Sequence, residues 1–343
     1  MARIDSPKVS QRHSQSIMPV TSIISLSLLL ASQLLILALL PLASAFGSYT
    51  EANLHRLAQA SSLSYLSLDK IPSSPYYQTC QLEPIVQVVD PASESGATIF
   101  IDKSNSSTTQ KVIVACRGSA NPKNFGTNLK FNLVPATRLA TTTTSTAATQ
   151  LPNNALVHEG FQDASVGLWN VLGPRLINIL EKDAEIVFTG HSLGAATALL
   201  CSVHYRQASP SLFFGSNNNN KYNNNNNNNE HATPPPPSPT IVTFGGPKLC
   251  NGILARHLRT YVLDGCNILH LVHDKDPVLA NNQKLWDSLG FENVGVELEC
   301  DPNRPVVFGG KDSKESFLFG NFAWNIMDHC NYMGVFVGPR VLG

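Results

Sequence analysis

The sequence predicts an α/β fold with a mostly parallel central sheet flanked by helices. Short continuous apolar runs that suit buried strands recur along the chain, at residues 111–116, 185–189, 241–244 and 268–272. Amphipathic stretches that suit covering helices precede and separate them, at residues 51–66, 161–180 and 193–205. Buried parallel strands read as unbroken apolar runs because both faces of such a sheet are covered. With 343 residues and 43% hydrophobic content, the chain can build one large core.

The first 45 residues stand apart from that fold. Arg3, Lys8 and Arg12 make a basic leader, and an apolar run from 17 to 42 follows it. Ala43-Ser44-Ala45 then gives the small-residue spacing that a signal peptidase needs. This predicts a secreted protein whose mature chain starts at Phe46. The competing reading is a retained membrane anchor, since the apolar run is long enough to cross a bilayer. Residues 46–343 would then form the folded domain.

In order, residues 51–66 carry Leu54, Leu57, Ala58 and Leu63 at helical spacing. Residues 85–89 and 111–116 read as strands. Leu168, Val171, Leu172, Leu176 and Leu180 mark a helix over 161–180. Two polar segments interrupt the pattern. The stretch 141–154 reads as a loop, and 209–240 holds a run of asparagines and a run of prolines that cannot bury a core. It falls between a helix and a strand, so it reads as a surface insertion, which loop-closure entropy tolerates.

Composition excludes several classes of function. The 24 Lys and Arg balance the 24 Asp and Glu, which argues against electrostatic nucleic-acid binding. No metal-ligand spacing and no phosphate-cradling glycine loop is present, so no cofactor or metal is expected. All seven cysteines follow residue 45, and a secreted protein can oxidise them into disulfides. Seven is odd, so at least one stays free or pairs between chains. Cys116 and Cys201 read as buried small hydrophobes. Asn105-Ser106-Ser107 is a glycosylation sequon on a polar turn.

The chemistry is concentrated in Gly190-His191-Ser192-Leu193-Gly194. A serine hydroxyl is a weak nucleophile and needs a base and donors for the oxyanion it creates. A sharp strand-to-helix turn projects its Oγ and aims helix N-terminal amides at the developing charge. Gly-x-Ser-x-Gly also arises by chance. Here a β-branched run ends at Gly190 and an alanine-rich helix former begins at Leu193, which favours a nucleophile elbow with Ser192 as nucleophile. The acid and base then follow in chain order. Asp274 and Asp276 both stand after the strand 268–272. His329 is the only histidine beyond His273. His191 is read as pointing away from the site, and His158 as holding structure near it.

These residues resemble the class 3 lipases, a branch of the α/β-hydrolases. The resemblance runs through VIVACRGS (112–119), NPKNFGTNLKF (121–131), VHEGFQDA (157–164), FTGHSLGAA, TFGGPKLCN (243–251), HDKDPV (273–278) and DHCNY (328–332), in that order. It implies an α/β-hydrolase fold with Ser192, Asp276 and His329 as catalytic triad. It implies Ser119 and Leu193 as oxyanion-hole donors. Residues 121–131 resemble the lid segment. If helical, Phe125, Leu129 and Leu133 would share a face able to cover an acyl groove. The implied activity is acylglycerol or related lipid ester hydrolysis at a lipid–water interface. Esterases on soluble substrates such as feruloyl esters share the fold, and a non-catalytic or membrane-anchored lipid-binding relative is a further reading. Ala195, Phe125 and Asn128 depart from the family pattern and bear on lid behaviour and substrate, not on the triad.

Overall fold

The computed structural model describes residues 50–104, 108–119, 132–139, 150–181, 183–208, 237–273, 276, 279, 283–300, 317–319, 322–324 and 329–339. The expected leader, sequon, lid residues 121–131 and Asp274 lie outside them, as does the insertion up to residue 236. Residues Glu51–Gly343 make up one compact unit.

Helix α1 (Glu51–Leu63) opens the described fold and is followed by strands β1 (Leu82–Val89), β2 (Gly96–Asp102) and β3 (Lys111–Arg117). Then come β4 (Leu133–Pro135), β5 (Leu156–His158), α2 (Glu159–Ile179), β6 (Glu185–His191) and α3 (Leu193–Gln207). The second half contributes β7 (Thr240–Phe244), β8 (Cys250–Asn251), α4 (Gly252–His257), β9 (Asn267–Val272), β10 (Phe291–Glu292) and β11 (Val296–Glu299). Two hairpins close the order: β12 (Phe317–Phe319) with β13 (Phe322–Trp324), and β14 (Asn331–Tyr332) with β15 (Val335–Phe336).

The central sheet has seven strands in the order β1-β2-β3-β6-β7-β9-β11. Strands β3, β6, β7, β9 and β11 are parallel neighbours, while β1, β2 and β3 pair antiparallel. This is the α/β-hydrolase fold, a mostly parallel sheet with flanking helices. The parallel strands β3, β6 and β7 are buried along nearly their whole length, which is why they read as unbroken apolar runs. β1 carries Pro84 and an irregular register beside it, both suited to a sheet edge. Phe188, Ile241, Val114, Leu172 and Leu199 fill the core between sheet and helices.

Three expectations change. Strand β2 was not among those the sequence predicts, although it is almost entirely buried. The short strands β10, β8, β5 and β4 form a second, antiparallel sheet that no periodicity announces. Leu133 begins β4, paired with His158 of β5, so no helical face runs on through position 133. Pro135, which lacks a backbone N–H, suits that short edge strand.

The expected disulfides are not seen: the described residues, which include all seven cysteines, contain none. Six of the cysteines are buried, on separate helices, strands and turns, where they pack as small apolar groups. Burial, ahead of nearby charges, raises the pKa of Cys266 to about 11 and that of Cys330 to about 12. Such burial suppresses the thiolate that disulfide exchange requires. No helix of the described residues is long and apolar enough to cross a membrane.

Candidate active site

β6 ends at His191 and α3 begins at Leu193, leaving Ser192 alone in the turn. Its backbone has φ 59° and ψ −126°, a conformation that side chains other than glycine rarely adopt. The surroundings hold it there: Ser192 N–H donates to Phe244 O at 3.0 Å, at the end of β7. A side chain at Gly190 would stand 2.8 Å from Cys116 O, and one at Gly194 would stand 2.8 Å from Arg117 C. Both glycines are therefore required by close backbone approach, Gly190 by the start of α3 and by β3, Gly194 by β3, as the sequence pattern predicts. Ser192 is only 4% exposed, and its hydroxyl has no hydrogen-bond partner among the described residues. Leu193 lies at the first position of α3, where amide hydrogens have no intrahelical acceptor. Ser119 stands two residues after β3, and its neighbour Gly118 packs on the elbow with His191 O beside it.

Asp276 and His329 meet inside the protein, 0% and 2% exposed. His329 Nδ1 lies 2.8 Å from Asp276 Oδ2 and 2.9 Å from Oδ1. A carboxylate can only accept, so Nδ1 carries a proton, which leaves Nε2 as the ring atom that can act as base. Tyr332 donates its hydroxyl to Asp276 Oδ2 at 2.5 Å, and Leu279 N–H donates to Oδ1 at 3.3 Å. Burial pushes the Asp276 pKa up, but His329 and the hydrogen bonds from His329 and Tyr332 outweigh it and bring it to about 2. Burial, then the Asp276 charge, drives the Tyr332 pKa well upward, so Tyr332 stays a donor.

A two-residue turn places Tyr332. Met333 and Gly334 between β14 and β15 have φ of 56° and 73°, the left-handed pair that tight hairpins use. His329 stands two residues before this hairpin, and Phe336 N–H donates to Tyr76 Oη at 2.9 Å, fixing it to the body of the fold.

The structure thus brings Ser192, Asp276, His329, Ser119 and Leu193 to one end of the parallel strands. Gly245, next to the acceptor of the Ser192 amide, lies so close to Asp276 that an added Cβ would stand 3.0 Å from Oδ2. The reading of His191 is corrected. Its side chain does not point away but is buried, with Nε2 2.8 Å from His329 O and its ring 4.6 Å from that of His329. The peptide chain turns at Ser192, so the preceding side chain drops beneath the site. His158 is structural, capping α2 by accepting from Phe161 N–H at 3.4 Å and stacking on the Phe161 ring. His270 is fixed within the fold by Thr243 and the Val294 carbonyl. Tyr332 and Tyr65 were not predicted. Tyr332 had a signal, three residues after His329 in the DHCNY stretch. Tyr65, far upstream in the chain, had none.

Residues 113–281 match the family described as Lipase (class 3). The match includes Ser192 and Asp276 and stops before His329. No curated protein sequence matches the chain at a significant level. Among solved structures, the triacylglyceride lipase of Rhizomucor miehei is similar at TM-score 0.54 and 18% identity, over 83% of this chain and 95% of that chain. Lipase II from Rhizopus niveus is similar at TM-score 0.55 and 18% identity, over 85% of this chain and 98% of that one. A triacylglycerol lipase whose catalytic centre is formed by a serine protease triad is similar at TM-score 0.54 and 19% identity, over 83% and 95%. At such identities these structures speak for the fold, and the family match speaks for the chemistry. The elbow, the sheet that carries it and the matched stretch agree: residues 113–281 belong to the class 3 lipase family, and the chain is a carboxylic ester hydrolase of α/β-hydrolase fold.

Proposed function

We propose that this protein is a secreted serine ester hydrolase that cleaves acylglycerol or related lipid esters through an acyl-enzyme on Ser192. The observation that carries the reading is the buried Asp276–His329 pair at the same end of the parallel strands as a serine held in a strained turn. Ser192 Oγ attacks the ester carbonyl while His329 Nε2 takes its proton. Asp276 stabilises the imidazolium that forms. The N–H groups of Ser119 and Leu193 receive the oxyanion, each worth on the order of 3 kcal/mol of barrier. Collapse expels the alcohol, which takes the proton from His329. Water then attacks the acyl-enzyme, gives its proton to His329, and Ser192 leaves with that proton as the acid is released. The residues supply a nucleophile, a base, an acid and oxyanion donors, so this chemistry needs no cofactor.

A lipid substrate is supported by the family, by the fungal lipases among the similar structures, and by the apolar residues Phe125, Leu129 and Phe131 after Ser119. The test compares short- and long-chain p-nitrophenyl esters below and above their solubility limits. The expected result is a rate that rises when a lipid interface forms. Equal rates on dissolved and dispersed esters would instead favour an esterase on soluble substrates, and a folded protein inert to both would overturn the reading. Export is supported by the leader and the Ala43-Ser44-Ala45 spacing. N-terminal sequencing of the exported protein should begin at Phe46. Retention of Met1 in a membrane fraction would favour the anchor.

A further inference from the structure

We infer that His191 and Tyr65 form a positioning relay that grips the backbone of His329 and sets where its imidazole stands relative to Ser192. The inference rests on the triad proposed above and adds two residues that act through His329.

The direction of each hydrogen bond follows from chemistry. The His329 carbonyl can only accept, so His191 Nε2, at 2.8 Å, carries a proton. Burial, then the nearby His329, lowers the His191 pKa to about 3, so the ring is neutral and holds only that proton. Its Nδ1 is therefore an acceptor, and the Tyr65 hydroxyl, at 3.1 Å, donates to it. The Tyr65 oxygen is left to accept, and the Gly118 amide provides the hydrogen. Every donor in this row meets an acceptor in one sense only: Gly118 N–H to Tyr65, Tyr65 O–H to His191, His191 N–H to His329.

The row joins parts of the chain that the mechanism needs in register. Gly118 precedes the oxyanion donor Ser119, His191 precedes the nucleophile, and His329 is the base. Tyr65 closes the set from the segment after α1, which itself packs on β6 through the Ser61–Thr189 hydroxyl contact of 3.1 Å. Gly118 must be glycine for this, since an added Cβ would overlap the Tyr65 hydroxyl and stand 2.6 Å from His191 O. The His329 side chain is tied to Asp276 and its main chain to His191, so both ends of the residue are held. A base displaced by about 1 Å loses on the order of a hundredfold in rate, so such a grip bears on turnover.

The test uses the full chain and dissolved p-nitrophenyl butyrate. His191→Leu fills the space but cannot donate to the carbonyl. His191→Gln can present an amide nitrogen near the place of Nε2. Tyr65→Phe removes one hydroxyl and keeps the ring. For His191→Leu, kcat should fall about ten- to a hundredfold with KM within about twofold, because the base is displaced and substrate binding is not. His191→Gln should recover most of that loss, and Tyr65→Phe should fall between wild type and His191→Leu. Long-range nitrogen–proton NMR of the wild type should show His191 as the neutral Nε2–H tautomer between about pH 5 and 8. A folded His191→Leu with wild-type kcat, a His191→Gln no better than His191→Leu, or an Nδ1–H tautomer would overturn the relay. Should His191→Leu not fold, Tyr65→Phe decides: wild-type kcat in that variant overturns it. Ser192→Ala, run in parallel, separates the two claims. Its full activity would overturn the triad itself, whereas an inactive Ser192→Ala beside a fully active His191→Leu would overturn the relay alone.

Discussion

At Ser192 the backbone adopts φ 59°, and the cost of that strain is held by contacts two residues to either side and by the Phe244 carbonyl. The same logic governs Asp276, which stays ionised in a buried place because three donors face it: His329, Tyr332 and the Leu279 amide. Tyr332→Phe removes the shortest of these hydrogen bonds. It should lower kcat about tenfold at unchanged KM, since a charge-assisted hydrogen bond to the acid contributes roughly 1.5–3 kcal/mol. Steady-state kinetics check this, and wild-type kcat in the folded variant would show that Asp276 does not depend on Tyr332. The sequence made Ser192 and His329 legible, because an elbow has a fixed spacing and chain order leaves one histidine. It left Asp274 and Asp276 open by spacing alone. It misread His191, because which way a residue beside the nucleophile faces depends on a turn with positive φ, and periodicity does not reach that.

The elbow works as an element because β3, β6 and α3 approach closely. Gly194→Ala would press a methyl group against the main chain of β3 at Cys116 and Arg117, neither of which is the end of a flexible side chain. Overpacking of this kind costs about 1–3 kcal/mol. Urea unfolding of Gly194→Ala should show a lower midpoint, together with a loss of esterase activity as the turn shifts. An unchanged midpoint would mean that α3 can move away from β3. The same scale explains what the sequence hid. The helices α1, α2 and α3 and the parallel strands β3, β6, β7 and β9 were legible because each is long enough to show its period, or buried enough to show an unbroken run; the parallel strand β11, four residues long and mostly exposed, was not. Strands β4, β5, β8 and β10 are two or three residues long and form a sheet only through partners distant in sequence. β2 lies antiparallel between β1 and β3, and its short apolar run stands between two polar turns.

Across the whole molecule, histidines buried without charge set the response to acid. Burial is the leading cause that lowers the pKa of His158 to about 4, of His191 to about 3 and of His204 to about 4, and it also lowers that of His270. Unfolded, these rings take protons near their ordinary value of 6.5, so between that pH and about 4 the unfolded chain binds more protons than the folded one. Stability therefore falls as pH falls through that window, by about 1.4 kcal/mol per pH unit for each of His158, His191 and His204, and His270 adds a loss of the same sign. The Asp276 carboxylate, its pKa lowered from 3.8 to about 2, adds a further loss of the same sign below that window. Thermal unfolding at about pH 7 and pH 5 should show a clearly lower midpoint at the acid value. Equal midpoints would mean that these rings are hydrated and titrate normally.

The central claim is that Ser192 is a nucleophile activated by His329, and covalent trapping tests it most directly. A p-nitrophenyl alkylphosphonate mimics the tetrahedral intermediate and leaves a stable phosphonyl group on an activated serine. Intact-mass analysis followed by peptide mapping should find a single adduct on Ser192 in the wild type. Ser192→Ala should carry none, and His329→Ala should react at least about a hundredfold more slowly. An adduct elsewhere, or a wild-type rate in His329→Ala, would contradict the claim.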